Sequence, residues 1–183
     1  MKLKFFVLFL HISMFFACSS APVVQKEETT ANDGLQKQEF DLNSDGVADA
    51  WRYYKIIDGK KVIFKKDFDL NADKKVDLTR YYVTDGPTNR VNYDEMDMDF
   101  DGKMEIKAIY KGDLIDHKEI DLQGDGKADI FKYYKDGKLD YLEGDSDQNG
   151  ILDYWEYYRD GKLVRLGNDQ NLDGKPDHWE ELD

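Results

Sequence analysis

The stretch Asp145-Ser-Asp-Gln-Asn-Gly-Ile-Leu-Asp153, followed by Tyr154-Trp-Glu-Tyr-Tyr158, Asp160-Gly161 and Lys162-Leu-Val-Arg165, holds one whole structural unit. Short aromatic and β-branched runs favour strands. Asp-Gly between two such runs signals a tight hairpin, because both turn residues tolerate positive φ. The nine residues ahead of the hairpin alternate oxygen-bearing side chains and turn at a glycine. The same nine-residue loop recurs as Asp41–Asp49, Asp69–Asp77, Asp97–Glu105, Asp121–Asp129 and Asp169–Asp177. Successive loops start 28, 28, 24, 24 and 24 residues apart. A fixed period of this kind marks a repeat architecture, here running from Asn32 to Asp183.

Working outward, the aromatic segments Trp51-Arg-Tyr-Tyr54 and Phe131-Lys-Tyr-Tyr134 match Trp155-Glu-Tyr-Tyr158. Turn signals stand at Asp58-Gly59, Asp85-Gly86, Lys111-Gly112, Asp136-Gly137 and Asp160-Gly161. Leu35 to Phe40 after Asp33-Gly34 reads as a returning strand without its partner, and His178 to Leu182 as a last lone strand. The expected fold is all-β: about twelve short strands in tandem hairpins, an up-and-down meander with every acidic loop along one edge. Alternation along strands puts Trp51, Tyr53, Phe131, Tyr133, Trp155, Tyr157 and Trp179 on one face, the expected core. A sheet of this width should curl as a solenoid, fold over as a sandwich or close as a barrel.

The loops carry the chemistry. Calcium takes six to eight oxygens at about 2.3–2.6 Å. First positions supply Asp41, Asp69, Asp97, Asp121, Asp145 and Asp169; third positions supply Asn43, Asn71, Asp99, Gln123, Asp147 and Asn171. Fifth positions supply Asp45, Asp73, Asp101, Asp125, Asn149 and Asp173; ninth positions supply Asp49, Asp77, Glu105, Asp129, Asp153 and Asp177. Seventh positions offer the backbone carbonyls of Val47, Lys75, Lys103, Lys127, Ile151 and Lys175. The sixth position is glycine in five copies and Lys74 in the second, where positive φ at a residue with a Cβ costs roughly 1 kcal/mol. Up to six calcium ions is the expected complement.

These loops resemble the calcium loops of EF-hands, dockerins, thrombospondin type 3 repeats and FG-GAP or VCBS blades. The twelfth position, a bidentate Glu in EF-hands, here holds Arg52, Arg80, Ala108, Lys132, Glu156 and Glu180, and no flanking helices are expected. The whole unit is similar to uncharacterised repeat lipoproteins of predatory and gliding bacteria, a resemblance that implies no enzymatic activity.

Charge supports a metal. The chain has 39 acids, 26 Lys and Arg, and a net charge of −13. The six loops hold 19 of the acids and 5 bases, a charge of −14. Clustered carboxylates repel by about 1–4 kcal/mol per pair near a surface, which cations would relieve. An acidic chain of this kind disfavours nucleic acid. One Cys excludes an internal disulfide, and three His leave little for triad or metallohydrolase chemistry. His117 and His178 read as isolated strand or surface residues. The expectation is a non-enzyme.

The address lies at the start. Lys2 and Lys4 precede an apolar run from Phe5 to Phe16, too short to span a bilayer and typical of a secretory signal. Phe15-Phe16-Ala17-Cys18 resembles a bacterial lipobox, which implies a signal peptide over 1–17 and acylation of Cys18. The resemblance also implies that Ser19 permits sorting to the outer membrane. Residues 18–31 read as a lipidated flexible tether, and 32–183 as the six-repeat domain. The expected function is a lipid-anchored calcium-binding module, structural or protein-interacting, in the bacterial envelope. The alternative is a glycan-binding module that uses exposed Tyr and Trp, with metal-free acidic turns.

Overall fold

The structure, a computed structural model, describes residues 25–29, 35–85 and 89–182. The signal segment, Cys18, Asp33-Gly34 and Gly86 lie outside the described residues. Thirteen strands follow one another: β1 (Gln25–Thr29), β2 (Gln36–Phe40), β3 (Ala50–Ile57), β4 (Lys60–Phe68), β5 (Leu78–Tyr82), β6 (Val91–Met96), β7 (Ile106–Lys111), β8 (Leu114–Ile120), β9 (Ile130–Lys135), β10 (Lys138–Gly144), β11 (Tyr154–Arg159), β12 (Lys162–Asn168) and β13 (His178–Glu181). They form one antiparallel sheet in sequence order, the expected meander. No helix is found among the described residues.

Three expectations need correction. Each strand touches only its sequence neighbours, and β1 and β13 are the free edges. The sheet is therefore a single open layer, neither sandwich nor barrel. Leu35–Phe40 is not partnerless: β2 pairs along its length with β1, from Gln25 opposite Phe40 to Thr29 opposite Gln36. That strand falls inside the segment read as a tether, because ladder bonds between backbones need no apolar pattern. Finally, the aromatic face is not an enclosed core. Of its members only Trp155 is buried, and Tyr157 is 39% exposed. Without a second layer, rings can be covered only by their neighbours on the same face.

The turns follow the residue chemistry. Asp58-Gly59, Asp136-Gly137 and Asp160-Gly161 each place both residues at positive φ, the type I′ geometry. In the third hairpin the two-residue turn is Gly112-Asp113, one residue later than expected, with positive φ at Gly112 only. Glycine at the first position is the type II′ solution. From β3 onward each hairpin also carries a β-bulge in its returning strand. Phe64, Asn92, Asp116, Asp140 and Val164 are the extra residues, skipped in the pairing next to Tyr53–Tyr54, Tyr81–Tyr82, Ile109–Tyr110, Tyr133–Tyr134 and Tyr157–Tyr158. The bulges keep the repeat spacing of the loops and sharpen the local twist.

On one face, direct pairing builds a row through Lys37, Tyr53, Lys65, Tyr81, Tyr93, Ile109, His117, Tyr133, Tyr141, Tyr157 and Arg165. Tyr81 stacks on Tyr93 at 4.4 Å, Tyr133 on Tyr141 at 5.4 Å, and Tyr141 lies 4.7 Å from Tyr157. Cations close other ring faces: Lys65 stands 4.5 Å from the Tyr53 centroid and Arg165 stands 4.0 Å from that of Trp179. The row nearer the loops interleaves Trp51, Phe131, Trp155 and Trp179 with Glu39, Asp67, Glu119 and Glu143. On the opposite face an apolar belt of Phe40, Ala50, Phe68, Leu78, Met96, Ile106, Ile120 and Ile130 runs directly beneath the loops.

Candidate metal centres

Every loop is closed at its base by its own backbone. The ninth residue donates its N–H to the carbonyl just before the first: Asp49 to Phe40 at 2.9 Å, Asp77 to Phe68 at 2.8 Å, Glu105 to Met96 at 3.0 Å. Loops four to six repeat this bond through Asp129, Asp153 and Asp177. Inside the loop, the first carboxylate spans the bend. Asp41 accepts from the N–H of Ser44 at 2.6 Å and of Gly46 at 2.8 Å. Asp97 accepts from Phe100 at 2.6 Å and Gly102 at 2.7 Å. Asp69, Asp121 and Asp169 do the same, and Asp145 takes Asn149 and Gly150. The ninth carboxylate returns the favour to the second residue, as in Asp49 from Leu42 at 2.9 Å and Asp129 from Leu122 at 2.6 Å. Fifth-position side chains accept from the seventh N–H in all six loops, at 2.8–3.0 Å.

The geometry thus divides the expected ligands in two. First- and ninth-position carboxylates are buried, apart from Glu105 and the terminal Asp177, and act as struts. Third- and fifth-position groups form an exposed rim. Two conformational requirements fall on the bend. The sixth residue has positive φ throughout, Lys74 included at 73°. So does the fourth: Ser44, Ala72, Phe100, Gly124, Gln148 and Leu172 all lie at 60–66°. The sequence hides this second requirement, since those six residues share no chemistry.

Two loops bring carboxylates together without help. One oxygen from each of Asp97, Asp99, Asp101 and Glu105 lies within 4.8 Å of the others, and so it is for Asp145, Asp147 and Asp153. Two oxygens on one calcium ion can be at most about 5 Å apart, twice the bond length, so one divalent cation could bridge either cluster. In loops one, four and six an amide donor occupies the second oxygen of the ninth carboxylate: Asn43 Nδ2 at 3.3 Å from Asp49, Gln123 Nε2 at 3.4 Å from Asp129, Asn171 Nδ2 at 2.9 Å from Asp177. In loop five the Ser146 hydroxyl donates to Asp153 at 2.7 Å. In loop two nothing does. Asp77 is 1% exposed, its Oδ2 accepts from Leu70 and Asn71, and its Oδ1 has no hydrogen-bond partner. A buried carboxylate oxygen with no donor asks for a cation.

Electrostatics distinguish loop acids from the rest. Away from the loops, acids find partners singly. Asp94 takes Arg80 in a fork at 2.8 and 2.7 Å and the Tyr110 hydroxyl at 2.9 Å. Asp67 takes Lys65 and Thr79, and Glu143 takes Tyr133 and Tyr141. In the loops, partial burial pushes the Asp121 and Asp169 carboxyls up, but four backbone N–H donors on each outweigh it and hold both below the usual range. Seventh-position side chains reach the next loop. Lys103 Nζ stands 3.5 Å from the Gly124 carbonyl, and Lys75 and Ile151 lie against Gly102 and Gly174. Neighbouring loops are also joined directly: Asp69 N–H donates to the Asp49 carbonyl at 2.8 Å, and the same bond links every later pair.

His117 pairs with Asp116 at 2.9 Å and lies against Tyr133, while His178 is exposed. No family model matches the chain, and no curated protein matches it. Among solved structures it is similar to a chain in the crystal structure of accessory secretory protein 1, 2 and 3 from Streptococcus pneumoniae, at 15% identity and a TM-score of 0.42. That likeness covers 65% of this chain and 20% of the other.

Proposed function

We propose that this chain is a calcium-binding repeat module of the bacterial envelope, held to a membrane through an acylated Cys18, with a structural or interaction role and no enzymatic one. The observation that carries the reading is the four-carboxylate cluster of Asp97, Asp99, Asp101 and Glu105 within 4.8 Å. The orphaned Asp77 Oδ1 supports it from a second loop. Calcium would neutralise the rim, and the struts would hold the ligand set in place before the ion arrives. With about five protein oxygens per loop, affinity belongs to the extracellular grade, on the order of 10⁻⁴–10⁻³ M.

Binding that favours the folded state adds about 2.7 kcal/mol per independent site at 100-fold excess over the dissociation constant. The thermal midpoint should therefore rise steeply with calcium and fall in chelator, and calorimetric titration should count the sites. An unchanged midpoint in excess chelator would sink the proposal. The glycan-binding alternative draws little support from the ladder, because ring faces there are taken up by other rings and by cations. Trp155, whose face such a module would use, is 6% exposed.

A further inference from the structure

The most acidic part of the molecule also carries most of the exposed large hydrophobic side chains among the described residues. Among the described residues twelve large hydrophobic side chains are exposed, and nine of them stand on the acidic loops. Four repeat at one position. Leu42, Leu70, Met98 and Leu122, each second in its loop, are 55–59% exposed in four consecutive loops. Single exposed apolar residues are ordinary. A row at one repeat position, on one edge, with neighbours about 10 Å apart from the spacing of alternate strands, is not. Phe100 and Met104 add to it at the third loop, 43% and 37% exposed.

The entry of the chain says what this row faces. Gln25 of β1 pairs with Phe40, the residue just before loop one. β1 therefore begins at the loop edge and not at the turn edge, and residues 1–24, with the apolar run Phe5–Phe16 and Cys18, precede that point in the sequence. Six residues lie between Cys18 and Gln25, seven chain steps with a reach of about 25 Å at full extension. A bilayer holding an acylated Cys18, as proposed above, would lie within that reach of Gln25, which stands beside loop one.

We infer that the loop edge docks onto an anionic phospholipid surface in a calcium-dependent manner. This rests on the calcium reading above. Without the ion, loops at −14 are repelled by anionic headgroups. With it, five protein oxygens leave one to three of six to eight coordination positions open, and phosphate oxygens of headgroups fill them while the Leu and Met side chains enter the acyl boundary.

The test uses the full chain with Cys18→Ser, which removes its only cysteine, and a single new one for an environment-sensitive fluorophore. Leu70→Cys and Met98→Cys report the loop edge, and Leu114→Cys, 52% exposed beside the Gly112-Asp113 turn, reports the opposite edge. In vesicles of phosphatidylcholine and phosphatidylglycerol, calcium should shift the emission of both loop labels to the blue and expose them to quenchers placed in the bilayer. EDTA should reverse this, and the Leu114 label should not respond. If calorimetry records calcium uptake while the loop labels stay in water, the membrane inference falls and the calcium reading stands. If no calcium is taken up, both fall. A blue shift without vesicles, accompanied by doubling of the sedimenting mass, makes a second copy the occupant and overturns the inference.

Discussion

Asp77 is a strut by its contacts and, on the calcium reading proposed above, a ligand as well. Its Oδ2 holds the N–H groups of Leu70 and Asn71, while its Oδ1 is buried with no donor. An unmatched buried polar group costs about 1–3 kcal/mol. Asp77→Asn keeps an accepting oxygen for the two N–H groups and removes the charge. In chelator its thermal midpoint should therefore exceed that of the parent, by the equivalent of roughly 1 kcal/mol. In excess calcium the order should reverse, because loop two has lost a ligand. A variant that is weaker than the parent by the same margin in both media would make Asp77 a strut only. At this scale the candidate ligands were legible, because carboxylates and amides at alternate positions are a chemical pattern. The division into buried struts and exposed rim was not, since first positions, Asp throughout, and third positions, Asp, Asn or Gln, offer the same kind of oxygen. The positive φ at Phe100 and Leu172 left no mark either: it is imposed by the bond each N–H makes to the first carboxylate, Asp97 or Asp169.

Hairpins are held by cross-strand side chains, and two of these contacts can be tested. Trp179 of β13 lies over Gly167 of β12, where an added Cβ would come within 2.7 Å of its ring. Gly167→Ala should push the indole away and fray β13, at a cost of about 1–3 kcal/mol, read as faster amide exchange at His178–Glu181 with β9 and β10 unchanged. The second contact is the tyrosine ladder. Burial first, then the Glu143 carboxylate, pushes the Tyr133 hydroxyl up to about 12, and burial first, then Glu95, pushes that of Tyr81 up to about 12. Unfolded tyrosine ionises near 10. The folded state thus favours the neutral phenol, so the contribution is complete below pH 10 and disappears as pH climbs through about 12. Phenolate absorbance and sheet circular dichroism should change together across that window, and phenolate forming near pH 10 with the sheet intact would contradict the burial of these hydroxyls. The hairpins were readable from Asp-Gly turns between aromatic runs. The bulges were not, since Phe64, Asn92, Asp116, Asp140 and Val164 share a place in the repeat and nothing else. The faces were assigned correctly by alternation, yet alternation cannot say whether a second layer covers one of them.

For the molecule as a whole, the single layer makes stability a sum over neighbours. No strand touches another beyond its flanking pair, so a local loss has no packed core through which to spread. The loops add one path of communication, the bonds from Asp69 N–H to the Asp49 carbonyl and from Asp97 N–H to the Asp77 carbonyl, both 2.8 Å, and their successors. Asp97→Ala isolates the question. Its side chain is 2% exposed and spans the third bend through Phe100 and Gly102, while its backbone relay is unchanged by the substitution. In a one-dimensional array, the opening free energy should drop in loop three and the strands around it, β5 to β8, and stay at parental values in β2, β3, β11 and β12. On the calcium reading, the ion should protect loops one and six to the same degree in the variant and the parent. Amide exchange resolved by strand decides the matter. Equal acceleration in all strands would mean that the sheet opens as one cooperative body, and that coupling along the loop edge outweighs the absence of a core.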